Sequence, residues 1–184
     1  MATGTNDLVG INDVRLKMVI DFLREKWKDP KTGLVASGIF DPPHPPLFAT
    51  SQLIQEGKWI HAERNALQQF FKIHNHPGPH AEIVVTLSPC VKEISESRMG
   101  RPCVDLLSRY KIGHVYAGIM DSSPKNSNLE EYKNFGLEIS LSEDNYCKQV
   151  CKNLLEIFKE YGNKVNSDLP AIKDRIGYRV FNSG

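Results

Sequence analysis

Ile83-Val84-Val85-Thr86-Leu87-Ser88-Pro89-Cys90 is the stretch on which the fold turns. Its first five residues are apolar or β-branched without alternation, the pattern of a strand buried on both faces, and Ser88-Pro89 interrupts the run. Downstream, Pro102 is suited to a first helical position and opens a short helix over Val104 to Tyr110. Gly113 to Met120 reads as the next strand, Leu129 to Phe135 as a helix ended by Gly136, and Leu137 to Leu141 as a further strand. This β-α-β-α-β order predicts an α/β fold.

Upstream, Ile11, Val14, Met18 and Phe22, with Val19 and Leu23, fall on one helical face. Asn12 and Asp13 are candidate caps for that helix, and Asp29-Pro30 stops it. Leu34 to Phe40 and Leu47 to Leu53 form a hairpin-like pair joined by the stiff segment Asp41-Pro42-Pro43-His44-Pro45-Pro46. A second helix starts at or just before His61, with Ala62, Ala66, Leu67, Phe70 and Phe71 on its apolar side, and Pro77-Gly78-Pro79 closes it. Asn145 to Tyr161 is a long amphipathic helix, and the pattern from Gly162 onward specifies no element. With no repeat or low-complexity tract, residues 1–184 are expected to form a single domain, with a core over 12–141 and a helical C-terminal extension over 142–184.

The 184 residues include 23 basic and 22 acidic side chains, a net charge of +1, so no strong field for a polyanion is expected. No apolar run approaches the roughly 18 residues of a membrane span, and the N-terminus carries no secretory pattern, so the expected location is cytoplasmic with no membrane partner. In that compartment four cysteines are more readily thiols or metal ligands than disulfides.

Three pieces carry chemistry: His61-Ala62-Glu63 at a helix start, Ser88-Pro89-Cys90 at a strand end, and Gly100-Arg101-Pro102-Cys103 at the next helix start. One imidazole and two thiolates supply the three protein ligands of a catalytic Zn2+, leaving one coordination position for water. A helix N-terminus favours the thiolate form. Glu63 could move protons for a hydrolytic reaction, although on an ideal helix it points about 200° away from His61, so the first turn must be irregular. A fourth ligand, such as Cys147, would instead make the site structural. Cys147 and Cys151 share a helix face, a spacing read as core packing, and His74, His76 and His80 are read as a solvated loop.

These residues resemble the cytidine deaminase-like superfamily. Its signature, H-x-E followed by P-C and a later C, is matched by His61-Ala62-Glu63 and Pro89-Cys90 with Cys103. The resemblance runs from about Leu34 to Leu141 and implies a three-layer α/β/α sandwich with a central mixed sheet. It also implies that His61, Cys90 and Cys103 are zinc ligands and Glu63 the proton shuttle. Gly100-Arg101-Pro102-Cys103, Tyr110 to Pro124 and Gly136-Leu137-Glu138-Ile139 are most similar to the riboflavin-pathway pyrimidine deaminase, and Asn65 is similar to deoxycytidylate-type members. Twelve residues separate Cys90 from Cys103, more than in the riboflavin-pathway enzymes, and neither their fused reductase domain nor their glycine- and histidine-rich loop is found.

The expected activity is zinc-dependent removal of an exocyclic amine from a free pyrimidine-type base, nucleoside or nucleotide. Two alternatives stand beside it: a deaminase editing a base within single-stranded RNA or DNA, which the charge balance disfavours, and a non-catalytic zinc-stabilised binding module. Candidate substrate contacts are Phe40 and Trp59 for stacking on a base, Asp41 for accepting from a base or ribose, and Arg98 and Arg101 for a phosphate. By the same resemblance the chain is expected to be a homo-oligomer.

Overall fold

The computed structural model describes residues 5–55, 58–91, 101–122, 129–161 and 165–182. A six-stranded sheet runs in the order β3-β2-β1-β4-β5-β6, with β1 over Thr32–Phe40, β2 over Leu47–Gln55, β3 over Lys58–Ile60, β4 over Glu82–Leu87, β5 over His114–Ile119 and β6 over Glu138–Leu141. The β1–β2, β2–β3 and β1–β4 pairs are antiparallel, whereas β4–β5 and β5–β6 are parallel. The expected hairpin is thus present, extended by the short edge strand β3. The helices are α1 (Thr5–Lys26), α2 (Ala62–Ile73), α3 (Cys103–Arg109), α4 (Leu129–Asn134), α5 (Asn145–Tyr161) and α6 (Val165–Phe181).

Period-two alternation distributes the strands between two cores. Val84 and Tyr116 face a core built with α1, α5 and α6, through Leu16, Leu23, Leu154 and Ile172 among others. Ile83, Val85, Val115 and Ala117 face the other core, built with Leu67 and Phe70 of α2, Leu107 of α3 and Tyr132 of α4. The result is the three-layer α/β/α arrangement with a mixed central sheet. Both faces of β4 are covered, which is why its sequence reads as an unbroken apolar run.

Two glycines carry backbone requirements. A Cβ on Gly118 of β5 would meet Cys151 Sγ and, at 2.8 Å, Thr86 O, so the glycine lets α5 approach the sheet. Gly136 has φ +70° and ends the α4 turn in a left-handed conformation.

Three expectations are corrected. The first helix begins by Thr5, so Asn12 and Asp13 lie inside it rather than capping it; Asn12 accepts from Arg15, and Asp13 accepts from Tyr116 and Ser142. Its buried face is Leu16, Val19, Ile20 and Leu23, while Ile11, Val14 and Met18 are exposed. Pro102 is the N-cap of α3 rather than its first helical residue. The tail holds α6, which contains Pro170. Trp27 anchors it: the indole Nε1 donates to Lys173 O at 2.9 Å, and Lys173 Nζ donates to Asp29 O and Thr32 O at 3.0 and 2.9 Å.

Candidate active site

The parallel part of the sheet brings two of the chemical segments together. Cys90 follows the C-terminal end of β4, and Cys103 is the first residue of α3. His61 follows β3 and caps α2. Its φ of −68° and ψ of 151° are extended, not helical. That conformation answers the objection from ideal helix geometry, because the 100° step per residue begins only at Ala62, and His61 is free to point elsewhere.

His61 Nδ1 lies 3.6 Å from Cys90 Sγ and 3.4 Å from Cys103 Sγ. The three ligand-capable atoms all fall within 4.8 Å of one another, and among the described residues they form the one cluster of this kind. Zn–S bonds near 2.3 Å and Zn–N bonds near 2.05 Å, set at a tetrahedral angle, give an N···S edge of about 3.6 Å. The two observed N···S distances match that edge, so this donor set fits zinc in both softness and spacing. Cys147 stays in the core under α1 and α5 and does not join the cluster.

Electrostatics organise the same atoms. Cys103 donates a hydrogen bond that pulls the Cys90 thiol down to about 4 against the effect of burial, and His61 adds to the pull. The Cys103 backbone N–H also donates to Cys90 Sγ at 3.2 Å. Cys103, as the proton donor of a buried pair, is pushed well above its ordinary value. Burial opposes charge on the His61 ring, but the hydrogen bond and charge of Cys90, with Glu63, raise it overall. Glu63 is buried in the first turn of α2. Burial pushes its carboxyl up to about 7, although the nearby His61 charge pulls the other way. A group poised there can both take and give a proton at neutral pH.

Backbone contacts close the site. Val104 N donates to Cys90 O at 3.3 Å. Arg64, next to Glu63, donates from Nη2 to Arg101 O at 2.7 Å. Tyr132 of α4 donates to Pro89 O at 2.5 Å. Neither Arg64 nor Tyr132 carries a motif signal of its own; adjacency to Glu63 is the one hint for Arg64, and the fold alone brings Tyr132 in.

Of the proposed substrate contacts, Phe40, Asp41 and Trp59 pack elsewhere, and Arg101 stands two residues ahead of Cys103. Phe40 pairs with Glu82, at the opposite end of β4 from Cys90, and its ring packs with Phe48 and beneath Arg15. Asp41 is buried and accepts from Gly78 N at 3.0 Å, which fixes the loop after α2. The Trp59 ring packs against the core under α1 and α6 rather than toward α2 and α3. Arg101 is exposed and paired with Asp105 at 3.1 Å, and Arg98 lies outside the described residues.

The described helices include none long and apolar enough to cross a membrane. No curated protein sequence matches this chain. Among solved structures it is similar to the diaminohydroxyphosphoribosylaminopyrimidine deaminase/5-amino-6-(5-phosphoribosylamino)uracil reductase of Thermotoga maritima, with 23% identity and a TM-score of 0.58 over 81% of this chain and 41% of that one. It therefore spans about two fifths of that protein's length. It is also similar to the Rib2 deaminase of Aspergillus oryzae, solved with DARIPP, at 16% identity and a TM-score of 0.54 over 86% of this chain and 98% of that one. A third likeness is to the dCMP deaminase of cyanophage S-TIM5, solved with dCMP and dUMP, at 15% identity and a TM-score of 0.51 over 72% and 96% of the two chains. At these identities the likeness establishes the fold. The family described as the cytidine and deoxycytidylate deaminase zinc-binding region matches residues 18–119. That match spans more than half of the chain and includes His61, Glu63, Cys90 and Cys103, and the protein belongs to this deaminase family.

Proposed function

We propose that this protein is a zinc-dependent hydrolytic deaminase acting on a free pyrimidine-type base, nucleoside or nucleotide. The observation that carries the reading is the convergence of His61, Cys90 and Cys103 beside the buried carboxyl of Glu63. His61 and the two cysteines would hold the metal. When bound, zinc supplies Lewis acidity, which brings the ionisation of water close to neutrality.

The chain's own contribution is proton management by a buried carboxyl. Glu63, poised near 7, takes a proton from the attacking water. It returns one proton to the ring nitrogen and helps deliver another to the leaving amine. Water adds at the amine-bearing carbon, the C–N bond breaks, ammonia departs and a carbonyl remains. The Cys103 N–H at the start of α3 favours the thiolate form of Cys90, the form in which it binds a metal.

A free substrate is favoured over a polynucleotide by the balanced charge of the chain. The solved deaminases with DARIPP and with dCMP and dUMP make small pyrimidine compounds the first candidates. The test is ammonia release from a panel of cytosine, deoxycytidylate, adenine, guanine and riboflavin-precursor compounds, with zinc measured in the same preparation. Turnover of one free pyrimidine compound by zinc-loaded protein is the expected result. Zinc-loaded protein inert toward the whole panel would instead support the binding module. Activity confined to oligonucleotides and falling steeply with salt would support base editing.

A further inference from the structure

We propose that Tyr132 and Arg64 are positioning residues that set the separation of the two site sulfurs by holding the backbone just ahead of each cysteine. The inference rests on the reading of His61, Cys90 and Cys103 as zinc ligands, and it concerns what fixes them in place.

Neither cysteine sits within a long regular element. Cys90 lies three residues beyond the end of β4, and Cys103 opens a helix of seven residues. Metal–ligand distances tolerate errors of only about 0.2 Å, so both segments need fixing from outside. For Cys90 the residue ahead is Pro89, which has no N–H to anchor it. Its carbonyl instead accepts from the Tyr132 hydroxyl at 2.5 Å. Tyr132 is fully buried, and its ring belongs to the core with Val85 and Leu107, so the hydroxyl is delivered from a rigid base. One residue further back, Ser88 N donates to Ile119 O at 3.0 Å, and Ser88 Oγ accepts from Asp121 N at 2.9 Å. The segment is therefore tied to the end of β5 and to α4 at successive residues.

For Cys103 the anchored carbonyl lies one residue further back, at Arg101, and accepts from Arg64 Nη2 at 2.7 Å. Arg64 stands between Glu63 and Asn65 on α2, so this bond couples the carboxyl-bearing helix to the approach of the second sulfur. The Cys103 N–H to Cys90 Sγ contact and the Val104 N–H to Cys90 O contact then lock the two cysteine segments to each other. The sulfur pair is thus referenced to two separate helices, α4 and α2, through one carbonyl each.

The experiment uses the full chain. Zinc dissociation constants are measured by chelator competition for the wild type, Tyr132→Phe, Arg64→Ala and a control, Val115→Ala, alongside melting temperatures and the thiolate absorption band of the cobalt(II)-substituted proteins. Val115 is buried in the same core and touches neither carbonyl, so its truncation should lower the melting temperature and leave the zinc constant unchanged. Tyr132→Phe keeps the ring and should weaken zinc by about 10–100-fold, as loss of an outer partner does, with a shifted cobalt band. Arg64→Ala should weaken it less, because that bond is exposed to solvent. A Tyr132→Phe protein with the wild-type zinc constant and cobalt band overturns the inference, as does a Val115→Ala protein that loses zinc equally. A wild type that holds no zinc would instead overturn the reading of the metal site itself, and this inference with it.

Discussion

The four cysteines fall into two pairs, both buried, and of the four thiols Cys90 alone is drawn below its ordinary value. Cys147 and Cys151 pack in the core under α1, α5 and α6. Burial there pushes the Cys147 thiol up to about 12 and Cys151 well beyond its ordinary value. Cys90 is buried as well, with 7% exposure, yet the hydrogen bond from Cys103, followed by that from His61, brings it down to about 4. Removal from water therefore does not decide what a thiol does in this fold. Directed donors do, and they are found where a strand ends beside a helix start.

The sharpest way to break that contrast is to make one change in both pairs. Cys103→Ala should abolish stoichiometric zinc binding, and with it turnover, because three ligands become two. Cys151→Ala should leave zinc and turnover intact and cost about 1 kcal/mol of stability, read from a denaturant melt. Zinc retained by Cys103→Ala would remove the distinction between the pairs. Next in size is Glu63→Gln, which keeps shape and burial but cannot exchange a proton. Turnover should fall by about 10²–10⁴-fold with the zinc content unchanged. A variant that loses zinc in proportion to activity would make Glu63 a structural neighbour of the cluster rather than the proton shuttle.

The face that carries the inert pair holds a titratable group of its own. Lys173 of α6 is buried, donates to two carbonyls, and lies 5.1 Å from the Trp27 ring centroid. Burial draws its ammonium down to about 8. Between that value and the ordinary 10.5 the unfolded chain binds the proton and the folded chain does not. Stability should therefore rise with pH across this window, by up to about 3 kcal/mol, and stay at its lower level below pH 8. Denaturant midpoints taken from pH 7 to pH 10 should rise more steeply for the wild type than for Lys173→Met, which keeps the thiol titrations and loses that of Lys173. Equal slopes for the two proteins would show that Lys173 is not the group responsible.

The two faces also differ in how far the sequence disclosed them. The strand-to-ligand segment Ile83 to Cys90 and the His61-Ala62-Glu63 helix start were legible because burial on both sides of β4 leaves a continuous apolar run and because metal ligands come in few chemical combinations. The geometry of Glu63 relative to His61 was not, since it depends on the extended backbone of one capping residue. α6 was hidden by Pro170 and Gly177, both local breakers, which contacts with Trp27 and the α1–β1 junction override. Trp59 suggested itself by preceding the helix of His61 and Phe40 by ending the first strand, whereas their rings pack against the core under α1, α5 and α6. Alternation along a strand sets that choice, and the sequence does not say which face holds the metal.

α1 supplies the smallest test and isolates the cause of a misreading. Its sequence carries two apolar stripes: Ile11, Val14 and Met18 on one side, and Leu16, Val19, Ile20 and Leu23 on the other. Periodicity alone ranks them equally. The ion pair of Arg15 with Glu82 and the bond from Tyr116 to Asp13 fix which side turns inward. Leu16, Val19, Ile20 and Leu23 then become fully inaccessible, while Val14 remains 59% exposed. Leu16→Ala should cost about 2–5 kcal/mol, and Val14→Lys should change stability by less than about 0.5 kcal/mol. Denaturant melts of the two variants measure the difference directly. A large loss on Val14→Lys would mean that the outer stripe is covered by something in solution, because an exposed valine on a helix makes too few contacts to account for it.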